Sequence, residues 1–74
     1  MDIVVKSPLM ADKIKDLLDN KAIDGLSFSF VEKNGINQTF HAVGENIADA
    51  AAIAKKVIKS SDFGKGIYFT VENK

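Results

Sequence analysis

The residues able to do chemistry in this chain are few and far apart. His41 is the single histidine, and an imidazole that titrates near about pH 6.5 suits a general base or a metal ligand. Thr39, Lys6 and Tyr68 are the polar groups that a sheet surface would bring nearest to it. Acid–base catalysis also needs a second placed group and an enclosing pocket, and a flat sheet face encloses nothing. A zinc site needs three or four ligands, and one His with no Cys cannot supply them. Disulfides are excluded for the same reason. Gly64-Lys65-Gly66 has the composition of a phosphate loop, but such loops work where they lead into a helix N-terminus, and this one leads into an apolar alternation. Ser7-Pro8-Leu9-Met10 precedes a helical pattern, with Ser7 in the place of an N-cap that answers the free N–H groups itself. The expectation is a non-enzymatic protein with no cofactor and no metal.

Charge narrows the partners. The ten basic and ten acidic residues cancel, and every basic residue is Lys. A nucleic-acid module ordinarily shows a basic excess on one face, and Arg supplies the fork that grips phosphate, carboxylate and guanine edges. Its absence ranks nucleic acid low among partners. No apolar run approaches the roughly 20 residues that cross a bilayer. The start Met1–Pro8 is too short and too acidic for a signal peptide, so the expected location is cytoplasmic, without membrane contact.

The elements that must position these residues follow from periodicity. Asp2–Lys6 reads as a strand with Ile3 and Val5 on one face. Pro8 to Asn20 reads as a helix with Met10, Ala11, Ile14, Leu17 and Leu18 at helical spacing, and Ala22-Ile23-Asp24-Gly25 reads as a connection. Leu26–Val31 alternates Leu26, Phe28 and Phe30 against Ser27, Ser29 and Val31, a half-buried strand. Asn34-Gly35 marks a hairpin. A two-residue turn there would set Phe28 opposite His41. A three-residue Lys33-Asn34-Gly35 loop, with Gly35 in the left-handed region, sets Phe28 opposite Phe40 and Leu26 opposite Ala42. Partners across a pair share a face, so the second register is expected, with a third strand over Ile36–Val43. Asn46 is the expected cap of a second helix whose stripe is Ile47, Ala50, Ala51, Ala54, Val57 and Ile58. Lys55, Lys56 and Lys59 lie late in it, where positive charge is favoured. Gly66–Glu72 reads as the last strand, with Ile67, Phe69 and Val71 inward.

Residues 1–74 thus form one α+β domain, ordered strand–helix–strand–strand–helix–strand. That is the ferredoxin-like βαββαβ order, with an antiparallel four-stranded sheet in the order 4-1-3-2 and both helices on one face. The other face is the candidate interaction surface: Val4, Lys6, Ser27, Ser29, Val31, Thr39, His41, Tyr68 and Thr70. Leu26–Val31 would be an edge strand without Pro, and such edges pair with other strands. The expected function is therefore a small protein-interaction module, an adaptor, regulator or inhibitor, with homodimerisation through a sheet edge as one form of it.

The phrasing Asp19-Asn20-Lys21-Ala22-Ile23-Asp24-Gly25-Leu26-Ser27, together with the element order, resembles ACT-type regulatory domains. That resemblance covers most of the chain and implies a module that senses a small molecule such as an amino acid between paired subunits. Single-stranded RNA binding, which in RNA-recognition motifs of this element order uses aromatics on the open face, ranks third, because only Tyr68 is offered there.

Overall fold

Alternation builds the sheet. In β1 (Asp2–Lys6) Ile3 and Val5 are fully buried, and Asp2, Val4 and Lys6 lie on the other side. α1 (Ala11–Leu18) follows, then the short strand β2 (Lys21–Ile23), then β3 (Leu26–Asn34) and β4 (Asn37–Gly44). A 3-10 turn, Ile47–Asp49, leads into α2 (Ala50–Ser60), and β5 (Thr70–Asn73) closes the chain. The computed structural model describes residues 1–45 and 47–74; the expected cap Asn46 lies outside the described residues. The sheet is antiparallel throughout, in the order β2-β3-β4-β1-β5.

One core joins the layers. Ile3, Val5, Leu26, Phe28, Phe40 and Ala42 from the sheet meet Ile14 and Leu18 of α1 and Ala50, Ala54 and Ile58 of α2. The four-residue steps 14–18 and 50–54–58 put those helical side chains on one stripe per helix, and alanine at 50 and 54 keeps the helix side of the contact thin. Phe30 is only partly buried. Its ring stands edge-on to Phe40 at 5.7 Å, and the Lys15 ammonium lies 4.3 Å above it, a cation–π contact that ties α1 to β3. Gln38 is the polar member of the helix-facing side, and its buried amide Nε2–H donates to the Ala11 carbonyl at 2.9 Å.

The sheet has five strands, not the four in the order 4-1-3-2 that the patterning suggests. The addition is β2, and the signal for it is Asp24-Gly25. Both residues take positive φ, 51° and 83°, as a type I′ hairpin turn demands, and they fold Lys21–Ile23 back along Leu26–Phe28. The strand Leu26–Val31 is therefore not a bare edge. Just beyond β2, the Phe30 N–H donates to Asp19 Oδ1 at 2.9 Å, so the next outward-facing donor is answered too.

The β3–β4 register also differs from the expected one, and the difference preserves the faces. The turn is Gly35-Ile36, with Asn34 opposite Asn37. The odd residue sits at Val31 as a bulge instead of in the loop. Phe28 then faces Ala42 and Phe30 faces Phe40, each two residues from the expected partner. A bulge shifts the count by one residue, as a three-residue loop would, so the phenylalanines still share the helix side.

Two boundaries move for local reasons. Ser7 does not cap α1: it is buried, its Oγ–H donates to the Leu9 carbonyl at 2.6 Å, and its N–H donates to the Ile36 carbonyl at 3.0 Å. Pinned to the hairpin tip, the chain must turn through Pro8–Met10 before α1 begins. The last strand starts at Thr70, not Gly66, because residues 61–69 fold back on the end of α2. The Ser61 Oγ–H donates to the Ile58 carbonyl, and the Gly64 N–H donates to Ser61 Oγ at 3.1 Å. A methyl group on Gly64 would meet the Ile58 carbonyl oxygen at 1.7 Å, so only glycine permits that approach. Among the described residues, no helix is long and apolar enough to cross a membrane.

Candidate interaction surfaces

The sheet face opposite the helices is organised in rows. Asp2, His41 and Ser29 stand side by side on β1, β4 and β3. The next row runs Glu72, Val4, Thr39 and Glu32, and the third runs Thr70, Lys6 and Asn37. Ser27 sits between Val43 and Ala22. Seven of the nine expected surface residues, Val4, Lys6, Ser27, Ser29, Thr39, His41 and Thr70, therefore share this face. The other two stand elsewhere, and one of the seven is covered. Thr39 is the covered one, only 5% exposed in the central strand β4. Val31 is displaced from the rows by the bulge. Tyr68 precedes β5 and lines a groove with Lys55, Lys59 and Lys65, away from His41.

The charges of the face are paired within it. His41 Nδ1 lies 2.7 Å from Asp2 Oδ1, Lys6 Nζ 3.5 Å from Glu72 Oε2, and Lys74 Nζ 4.0 Å from Glu32 Oε1. The hydrogen bond from His41 holds the Asp2 carboxyl below its ordinary aspartate value; desolvation opposes this, and the charges of His41, the N-terminus and Lys74 add lesser lowering contributions. His41 thus has a carboxylate partner but no enclosure, and the structure does not gather His41, Thr39, Lys6 and Tyr68 into one constellation. No group of three or more His, Cys, Asp or Glu side chains able to hold a metal occurs among the described residues. The face carries one shallow concavity of about 310 Å³, whose lining includes Asn20, Ala22, Ser27, Ser29 and Val43.

The second surface was not anticipated from the patterning. Two adjoining concavities of about 570 and 560 Å³ run between α2 and the stretch leading into β5, and share Lys55, Lys59 and Lys65. Lys56 borders the first; Ile67, Tyr68 and Phe69 border the second. No carboxylate lines either one. The four-residue step from Lys55 to Lys59 was the visible signal. Lys65 joins them only because residues 61–69 fold back.

No protein-family model, curated protein or solved structure matches the chain.

Proposed function

We propose that this chain is a non-enzymatic interaction module that recognises another protein through the open face of its sheet, on a ferredoxin-like scaffold with one added strand. The scaffold reading rests on strand order. With β2 set aside, the remaining strands run β5-β1-β4-β3, which is the 4-1-3-2 order of a split βαβ unit in its own count.

The observation that carries the functional reading is the pairing of charge on the sheet face. Lys6 and Glu72, and Lys74 and Glu32, are ion pairs, and the Asp2 carboxylate is hydrogen-bonded by His41. They leave a strip of Ser27, Ser29 and Val43 at the β2 end of the face, with Val43 56% exposed. Cores of protein–protein interfaces are depleted in charge, and this strip has that composition, with Asp2, His41, Lys6 and Glu72 beside it on β4, β1 and β5. The outer edge of β5 is free of any strand partner among the described residues, so self-association by strand pairing is one form the interaction takes.

Affinity capture from the native cell, read by mass spectrometry, tests this with the wild-type chain and a Ser29→Arg/Val43→Arg variant side by side. The reading expects specific partners that the variant loses, or a dimer in light scattering. Identical captures from both proteins, with a strict monomer throughout, would falsify it.

A further inference from the structure

We propose that the groove between α2 and the stretch leading into β5 binds single-stranded nucleic acid, with phosphates on Lys55, Lys59 and Lys65 and a base stacked on Tyr68. This site is separate from the sheet face and does not depend on the reading given to that face.

Charge placement is the first support. The chain as a whole is neutral, yet Lys55, Lys56, Lys59 and Lys65 gather around one groove with no acidic residue in its lining. Among the described residues none of the four has a carboxylate within ion-pair distance, a property they share with Lys13, Lys15, Lys21 and Lys33; what sets them apart is that they line one groove together. Like charges four apart on a helix repel, so Lys55 and Lys59 together weaken α2. The helix dipole favours Lys59 in the last turn but has no claim on Lys55 in mid-helix or on Lys65 beyond the end. A polyanion lying along the groove is the partner that turns this repulsion into attraction.

Tyr68 selects the kind of polyanion. Its side chain is 83% exposed, the most exposed large ring in the chain, and it borders the same groove as the lysines. An acidic peptide would answer the ammonium groups and leave that ring without a partner. A nucleic-acid strand answers both, since single-strand binding combines a cationic track for the backbone with aromatic platforms for the bases. The absence of Arg removes base-edge reading but not backbone contact. Lys contacts phosphate as a point charge and leaves base edges unread, so binding should tolerate any sequence. Ile67 and Phe69, half-buried and buried beside Tyr68, fix the floor of the groove.

The test is fluorescence anisotropy of the full chain with a fluorescein-labelled oligothymidylate of about ten nucleotides, a length in the range that single-strand sites cover. The proposal expects saturable binding that weakens with salt, with a log–log slope of about −2 for three phosphate contacts. Lys55→Gln/Lys59→Gln should reduce the slope to about −0.7, the value for one contact. Tyr68→Ala should weaken binding about fivefold to a hundredfold, the range for one stacked base, without changing the slope. Tyr68→Phe should bind like the wild type, and Lys13→Gln/Lys33→Gln, away from the groove, should leave both affinity and slope unchanged. Circular dichroism melts confirm that each variant is folded. Three results would overturn the proposal: no saturable binding at low salt, equal weakening by the Lys13/Lys33 variant, or an oligoglutamate of matched charge binding as tightly as the oligothymidylate. The last would assign the groove to an acidic protein segment instead.

Discussion

The open sheet face and the α2–β5 groove carry similar numbers of ionisable groups and use them in opposite ways. On the sheet, two Lys–Glu pairs cancel locally and His41 hydrogen-bonds the Asp2 carboxylate. In the groove, four lysines lie together with no acid between them. The first arrangement costs the fold nothing and suits contact with an uncharged protein surface. The second sets like charges side by side, and a stability-driven surface would have interspersed them with some of the ten acids the chain carries. The contrast is therefore one of clustering: acids are interspersed with the bases on the sheet face, and none stands among the lysines of the groove.

The largest effect that separates the two regions should come from Gly64, which lets residues 61–69 close one wall of the groove. Gly64→Ala forces a methyl group onto the Ile58 carbonyl and should cost about 3 kcal/mol, the upper range for overpacking. Gly66→Ala, with nothing nearer than the Phe63 carbonyl at 3.9 Å, should be far milder. Urea unfolding of the two variants gives the contrast directly, and equal losses would mean the wall is not built by that approach. Next comes the β3 side of the sheet. Asp19→Ala leaves the Phe30 N–H without its acceptor and should cost about 1–2 kcal/mol, while Asp19→Asn, which keeps an acceptor oxygen, should retain most of the stability.

Smaller and more diagnostic is a pair of lysine substitutions. Lys55→Gln removes repulsion with Lys59 and should stabilise the fold by about 0.2–0.5 kcal/mol. Lys6→Gln breaks the exposed pair with Glu72 and should destabilise it by a few tenths of a kcal/mol at most. Opposite signs sustain the contrast between the surfaces; the same sign in both would break it. The smallest effect is in acid. Because His41 holds the Asp2 carboxyl below its ordinary value in the folded chain, Asp2 binds protons less readily when folded than when unfolded. Its contribution is fully present above the ordinary aspartate range, near about pH 3.9, and is lost as pH falls through the lower folded value. Asp2→Asn should flatten that limb of a pH titration of stability by lowering stability slightly at neutral pH, where the contribution is present, while leaving the acid end, where it is already lost, nearly unchanged.

The legible part of this fold was its parity. Phe28, Phe30 and Phe40 alternate with serine and histidine strongly enough to fix which side faces the helices, whatever the hairpin does. The position of the extra residue was not legible, because a bulge at Val31 and a longer loop at Asn34-Gly35 leave the same faces buried. Strand β2 was concealed by its shortness. Three residues with one half-buried side chain, Ile23, show no alternation, although Asp24-Gly25 was a hairpin signal in plain view. Tyr68 was misplaced because Ile67 and Phe69 alternate as a strand would. What removes it from the sheet is the folding back of residues 61–69, which depends on Gly64 approaching α2 and leaves no periodic trace. The same non-local event completes the lysine groove, so half of that site was visible as Lys55 and Lys59 and the other half was not.

The contrast between the two surfaces is tested most directly by amide chemical-shift mapping of the isotope-labelled chain during titration with oligothymidylate at low salt. The predicted result is a set of shifts confined to Lys55, Lys59, Lys65 and Tyr68 and their immediate neighbours, with Ser27, Ser29, His41 and Val43 unmoved. Shifts centred on the sheet face, or spread evenly over all the lysines, would contradict it.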